Sequence, residues 1–186
     1  MKGVSTLKGL HIVQQEFQIP TASGSIRLRL ISPSLAVDSN DIQVHEEDCW
    51  QVLNSQPIVN QPDLHPIRAM TDMIDQQALL PGEICIKGRQ WLAIVYDLEA
   101  DPVCQPIWIS LALNNMLSLA SSRAIDTVTL PLLGCAHGGL SPIQSLELLL
   151  DALCGHEHKN PNSIHLIANA QQLNSLTSYP DKFSRA

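Results

Sequence analysis

The chain has 186 residues, 45% hydrophobic and 16% charged, and its 11 lysines and arginines face 18 aspartates and glutamates for a formal net charge of −7. That length suits one domain with a core of its own, and so large an apolar share excludes a disordered chain. No apolar run approaches the roughly 18–20 residues of a membrane span, and no basic cluster offers a surface for tracking nucleic-acid phosphates, Arg27 and Arg29 being the closest pair.

Five cysteines (Cys49, Cys85, Cys104, Cys135, Cys154) are odd in number, scattered and free of any C-x-x-C pairing. With no signal-peptide core over residues 1–18, they read as reduced thiols of a cytoplasmic protein.

The first 24 residues are polar and irregular, with short apolar pieces at 11–13 and 17–19, and read as an arm or edge strand. One domain is expected over 25–180 and a short tail over 181–186. Ile26, Leu28 and Leu30 alternate with Arg27 and Arg29, the period of a half-buried strand, and Ile42 and Val44 alternate similarly. Pro57 and Pro62 mark a loop over 54–63. Ile67, Met70, Ile74 and Leu79 then predict a helix over 66–79, stopped by Pro81-Gly82. Strands at 83–86 and 91–96 flank Lys87-Gly88-Arg89-Gln90, which predicts a hairpin. An apolar helix is expected over 107–120 and an interior strand over 128–133. The strongest helix signal is at 141–153, where Ser141 and Gln144 form a capping box and Pro142 takes the first helical position. A short strand at 164–168 and a helix at 170–177 close the series. Strands alternating with helices after residue 80 imply an α/β fold, a mixed and largely parallel sheet covered on both faces.

The segment Gly134-Cys135-Ala136-His137-Gly138-Gly139-Leu140 lies directly between the interior strand and the capped helix. Glycines there let the backbone turn tightly and present its amides, and the helix start adds attraction for an anion. Open α/β sheets bind ligands at the carboxyl ends of their strands. The segment is therefore a candidate phosphate cradle, although the same residues also suit a tight turn with no ligand.

From Gly82 to about Ala168 the chain resembles the macro domain family, which binds ADP-ribose and related nucleotides. The resemblance rests on Gly82-Glu83-Ile84-Cys85-Ile86, the strand from Trp91 to Tyr96, the helix at 107–120, and the strand from Thr129 with its glycine loop. It implies a three-layer α/β/α fold whose loop 134–140 wraps the phosphates of an ADP-ribose-like nucleotide. It implies no cofactor and no metal. The first half departs from the pattern. Ile31-Ser32-Pro33 lacks the aspartate that reads adenine in the family. In Asp41-Ile42-Gln43-Val44-His45-Glu46-Glu47-Asp48, His45 and Asp48 replace two asparagines. No glycine occurs between Asp48 and Pro81, where the family has its first glycine loop, and Ala136 stands for the central glycine of the second.

Hydrolysis of ADP-ribosyl bonds needs the asparagine and the first glycine loop, so no catalytic residue is assigned. Glu46, Glu47 and Asp48 would also repel a diphosphate if they lined the cleft. The expected function is non-catalytic binding of a phosphate-bearing nucleotide. The alternative is a degenerate macro fold acting as a homo-oligomeric or protein-interaction module. A Cys135–His137 pair lacks a third orienting residue. His156-Glu157-His158 has the wrong spacing for a helical zinc pair, Asp72 and Asp75, with Glu46, Glu47 and Asp48, suit a solvated face and not an acid–base pair, and Trp50, Trp91 and Trp108 suit the core or its margin.

Overall fold

A computed structural model describes residues 15–33, 41–53 and 78–177 of the chain. In chain order the elements are β1 (Gln15–Thr21), β2 (Gly24–Ile31), β3 (Ile42–Asp48), β4 (Ile84–Lys87), β5 (Gln90–Tyr96), α1 (Pro106–Ser122), β6 (Thr127–Pro131), α2 (Pro142–Cys154), β7 (Ser163–Ile167) and α3 (Ala170–Thr177). The strands form one sheet in the order β1-β2-β7-β6-β3-β5-β4. Its five interior strands run parallel, and antiparallel hairpins β1–β2 and β4–β5 close its two ends. The mixed α/β sheet expected from the sequence is thus observed.

Local chemistry accounts for the elements that carry the site. In α2, the Ser141 side chain accepts from the Gln144 backbone while the Gln144 side chain accepts from the Ser141 backbone, satisfying two donors at the helix start. Helix α1 begins on Pro106 with no side-chain cap and depends on its buried stripe Ile109, Ala112, Leu113, Met116, Leu117 and Ala120, spaced to fall on one face. The β4–β5 turn places Gly88 at φ +63°, the left-handed conformation a two-residue hairpin needs.

The helices pack side by side, α1 on α2 and α2 on α3, with α1 also against β5 and β4. Between them and the sheet lies the main core, built from Leu28, Leu30, Val44, Trp91, Val128, Leu130, Ile164, Leu166 and the inward residues of the helices. A smaller cluster of Cys49, Leu92 and Ile94 collects elsewhere, with Leu79 and Cys85 against it. The helix expected over 66–79 falls outside the described residues except for Ala78 and Leu79, which are not helical. Trp91 is buried and Trp108 half-buried, whereas Trp50 is 40% exposed, because β3 ends before it and turns its ring outward.

Leu130 is 1% exposed at the centre of the main core. Leu130→Ala should lower stability by about 3 kcal/mol, a fall of roughly 10 °C in Tm by thermal unfolding.

Candidate functional site

Backbone pairing between β3 and β6 covers only Ile42↔Val128 and Gln43↔Thr129. Beyond that point β3 runs on with β5, and β6 runs on with β7 as far as Pro131. The two strands therefore part at their carboxyl ends. A crevice opens where neighbouring parallel strands send their connections apart, which is where open α/β sheets place ligands. Here it is a cavity of about 220 Å³, lined from β3 by Gln43, Val44, His45 and Glu46, from β6 by Thr129 and Pro131, and from the following loop by Ala136 and His137.

The acidic run at the end of β3 is not a solvated face. Glu46 is 8%, Glu47 1% and Asp48 0% exposed. One Glu46 carboxylate oxygen accepts from the Gly134 amide and the other from the Tyr96 hydroxyl at 2.7 Å. That hydroxyl in turn accepts from the His137 amide at 3.3 Å, and the Tyr96 and His137 rings meet edge to face. Burial pushes the Glu46 carboxyl up, and the bonds from Tyr96 and Gly134 oppose the push. Burial first, and the Glu46 carboxylate next, drive the Tyr96 phenol well above its ordinary range, so it remains a donor.

Asp48 performs a different task. Its oxygens accept from the amides of Trp50, Val52 and Leu53 at 2.7–2.8 Å. Glu47 also accepts from Leu53, at 2.8 Å. Burial alone would raise the Asp48 carboxyl; the three amides outweigh it and hold the group below its ordinary value. Of these three acids, Glu46 lines the cavity, while Glu47 and Asp48 tie down the turn that leaves β3.

Two residues that line the cavity carry a buried polar atom with no such partner. His45 Nε2 and Thr129 Oγ1 are buried and make no hydrogen bond among the described residues. Burial lowers the His45 pKa, which keeps the imidazole neutral at neutral pH. Buried polar groups are nearly always paired, so two such atoms on residues that line one cavity are exceptions to be explained.

The structure distributes the loop predicted as a phosphate cradle over several roles. The Gly134 amide goes to Glu46, that of Cys135 to the Leu132 carbonyl, and that of Leu140 to the Gly134 carbonyl. Ala136 and His137 face the cavity. The amides of Ala136, Gly138 and Gly139 make no hydrogen bond among the described residues. Gly138 turns inward: a Cβ there would lie 2.7 Å from Cys104 Cβ and Sγ and from the Gly134 carbonyl oxygen. The Cys135 thiol, pushed up to about 11 mainly by burial, is protonated at neutral pH and is a poor nucleophile.

Among the described residues no cluster of histidine, cysteine and carboxylate side chains suits a metal ion. His156 instead bonds the Asn160 carbonyl at 2.7 Å. Asp72 and Asp75 lie outside the described residues. No described helix is long and apolar enough to cross a membrane. Sequence reasoning missed Thr129 as a site residue and had no role for Tyr96. Alternation along β6 could have placed Thr129 on the face opposite Leu130, but nothing local announces Tyr96.

Neither a protein-family model nor a curated protein sequence matches the chain. Solved structures do. A mutant macrodomain of Oceanobacillus iheyensis superposes with a TM-score of 0.66 at 12% identity, over 94% of this chain and 97% of that one. This chain has the macro-domain fold. The Oceanobacillus iheyensis macrodomain with ADP gives a TM-score of 0.64 at 12% identity, covering 93% and 100% of the two chains. The macro domain of ganglioside induced differentiation associated protein 2 gives 0.61 at 11% identity, covering 86% and 85%. At such identities the macro-domain fold is shared while side chains are almost wholly replaced, so the site has to be argued from this chain's own residues.

The Asp48 bonds make the turn after β3 sensitive to acid. Because the folded carboxyl titrates below its ordinary value near pH 4, its stabilisation is complete above that value and is lost as pH falls through the depressed one. Asp48→Asn should cost about 3 kcal/mol at pH 7 and flatten the acid limb of a stability–pH profile measured by urea unfolding. Gly138→Asp, which an outward-facing glycine would tolerate, should fail to fold, seen as loss of the cooperative thermal transition.

Proposed function

We propose that this chain is a binding module for a nucleotide metabolite, ADP-ribose or a relative, held without turnover where β3 and β6 part. The observation that carries the reading is the cavity itself, opened where β3 and β6 part and lined by His45 and Thr129, two residues with a buried polar atom that bonds nothing among the described residues. A ribose hydroxyl or a base edge supplies the donors and acceptors they lack. At about 220 Å³ the cavity is smaller than the ~300–1,000 Å³ of whole-ligand pockets, so it takes one ring of the ligand. The remainder runs out along the loop, where the amides of Ala136, Gly138 and Gly139 serve a phosphate. Solved structures of the same fold carry ADP and ADPR in their names, which supports a ligand of this class.

Binding is favoured over turnover by chemistry at the site. The loop thiol is protonated, and the asparagines that the family resemblance would require are replaced by His45 and Asp48. Asp48 is fully engaged in holding the turn at 50–53. A second reading, a protein-interaction module with no small ligand, is favoured by the Glu46 carboxylate, which already takes the first amide of the loop.

Thermal unfolding with ADP-ribose and a panel of nucleotides separates the two. Ligand at a hundred times its Kd adds ~2.7 kcal/mol to stability. A raised Tm with at least one nucleotide supports the binding module, and no shift with any leaves the interaction module. Thr129→Val tests the site itself. It removes a hydroxyl that bonds nothing among the described residues and keeps the side-chain shape, so Tm without ligand should hold or rise while affinity falls about tenfold. Unchanged affinity would place the ligand elsewhere.

A further inference from the structure

The face of the sheet turned away from the main core carries a second cavity. Strands of parallel sheets are usually apolar on both faces, yet β2 and β7 alternate. Ile26, Leu28, Leu30, Ile164 and Leu166 belong to the main core, so Arg27, Arg29, Ser163 and His165 fall on the opposite face. Register sets Arg27 beside Ser163 and Thr127, and Arg29 beside His165 and Thr129. An open cavity of about 520 Å³ lies over this patch, within the ~300–1,000 Å³ of whole-ligand pockets. All ten residues that line it are polar. It adjoins the cavity already described, because Thr129 and Gln43 of the same cross-strand row line that one.

The charges here are balanced and already engaged. Arg27 Nε and Arg29 Nε lie 3.4 and 2.8 Å from the two carboxylate oxygens of Glu16. Asp126 accepts from the Asn162 side-chain amide, and His165 Nδ1 lies 3.4 Å from Asp41 Oδ2. Burial lowers the His165 pKa, with Asp41 opposing and both arginines adding to the shift, and the ring is neutral at neutral pH. Two cations and two carboxylates thus line the cavity. An anion would meet Asp41, Asp126 and the adjoining Glu16 together with the guanidiniums, and a cation would meet the reverse. Neither gains much from charge.

What the cavity holds in surplus is hydrogen-bonding capacity. A guanidinium carries five N–H donors. Arg27 and Arg29 meet Glu16 through Nε, and their Nη groups make no hydrogen bond among the described residues. Each aspartate oxygen pair likewise has more lone pairs than its one partner uses. Two alternate positions on β2 and their partners on β7 outline a patch of about 6.6 Å by about 4.8 Å, the scale of one sugar ring. Hydroxyl groups donate and accept alike, so a ligand with several of them and no net charge satisfies both kinds of group.

We infer that this cavity is a binding site for an uncharged saccharide lying across β7. The Arg27 and Arg29 guanidiniums on β2 hold it from one side, and Asp41 and Asp126, which lead into β3 and β6, hold it from the other. The inference stands apart from the nucleotide-binding reading, because sugars that carry neither base nor phosphate test it.

The experiment is an NMR titration of the whole chain with D-ribose, D-glucose and N-acetyl-D-glucosamine, and separately with inorganic phosphate and glycine. Concentrations up to about 50 mM reach dissociation constants in the millimolar range. At least one sugar should give saturable shifts of the Arg27 and Arg29 Nε–H signals and of the Ser163 and His165 amides. Arg27→Met and Arg29→Met keep the apolar stem and remove the donors at half-exposed positions. Each should weaken sugar binding about fivefold and leave Tm within about 2 °C of wild type. Several results overturn the inference: no shift with any sugar, a response to phosphate or glycine at lower concentration than to any sugar, or unchanged sugar affinity in either variant. Shifts confined to His45, Thr129 and loop 134–140 place the sugar in the first cavity and overturn it as well.

Discussion

The contact on which the candidate site depends is the buried carboxylate of Glu46, bonded to the Tyr96 hydroxyl and the Gly134 amide. Strands β3 and β6 stop pairing after Gln43 and Thr129, so no backbone ladder holds the loop after β6 against the rest of the sheet. Glu46 on β3 and Tyr96 on β5 replace that ladder with side chains, and the His137 amide extends the link to the far side of the loop. Hydrogen bonds to a charged acceptor are roughly twice as strong as neutral ones. A buried carboxylate stripped of its donors is costly enough that the three elements are held together as a unit. The crevice can thus stay open without its rim coming loose.

The same chemistry recurs one step further along. Asp48, with Glu47, gathers the amides of residues 50–53 into a tight turn, much as an aspartate caps a helix. Part of the net acidity of this chain is therefore internal structure and not a solvated coat. In the loop after β6 the amides of Gly134, Cys135 and Leu140 are likewise satisfied by residues of the chain itself.

What could be read from the sequence follows the range of the interactions involved. Helix α2 was legible because its capping box, first-turn proline and leucine stripe all lie within 13 consecutive residues. The β4–β5 hairpin was legible for the same reason. Glu46 was not: its partners are 50 and 88 residues away, and an acidic triplet after an alternating strand resembles a solvated end. Gly138 is a second long-range case: the neighbour that leaves no space for a side chain there is Cys104, 34 residues earlier, and nothing local announces it. The cavity itself is a product of strand order, since β3 and β6 become neighbours only through the crossover topology.

The ends of the sheet carry a consequence for how the protein behaves in concentrated solution. An outer strand presents unpaired backbone groups along its free side and invites a strand of another molecule. Strand β4 is only four residues long and finishes on Lys87, too short and too charged to template much growth. At the opposite end β1 contains Pro20, which has no amide hydrogen to offer, and Glu16, which draws in Arg27 and Arg29 across the hairpin. Among the described strands both margins are thus poor seeds for strand-by-strand aggregation, and they flank the parallel interior, rich in isoleucine, leucine and valine.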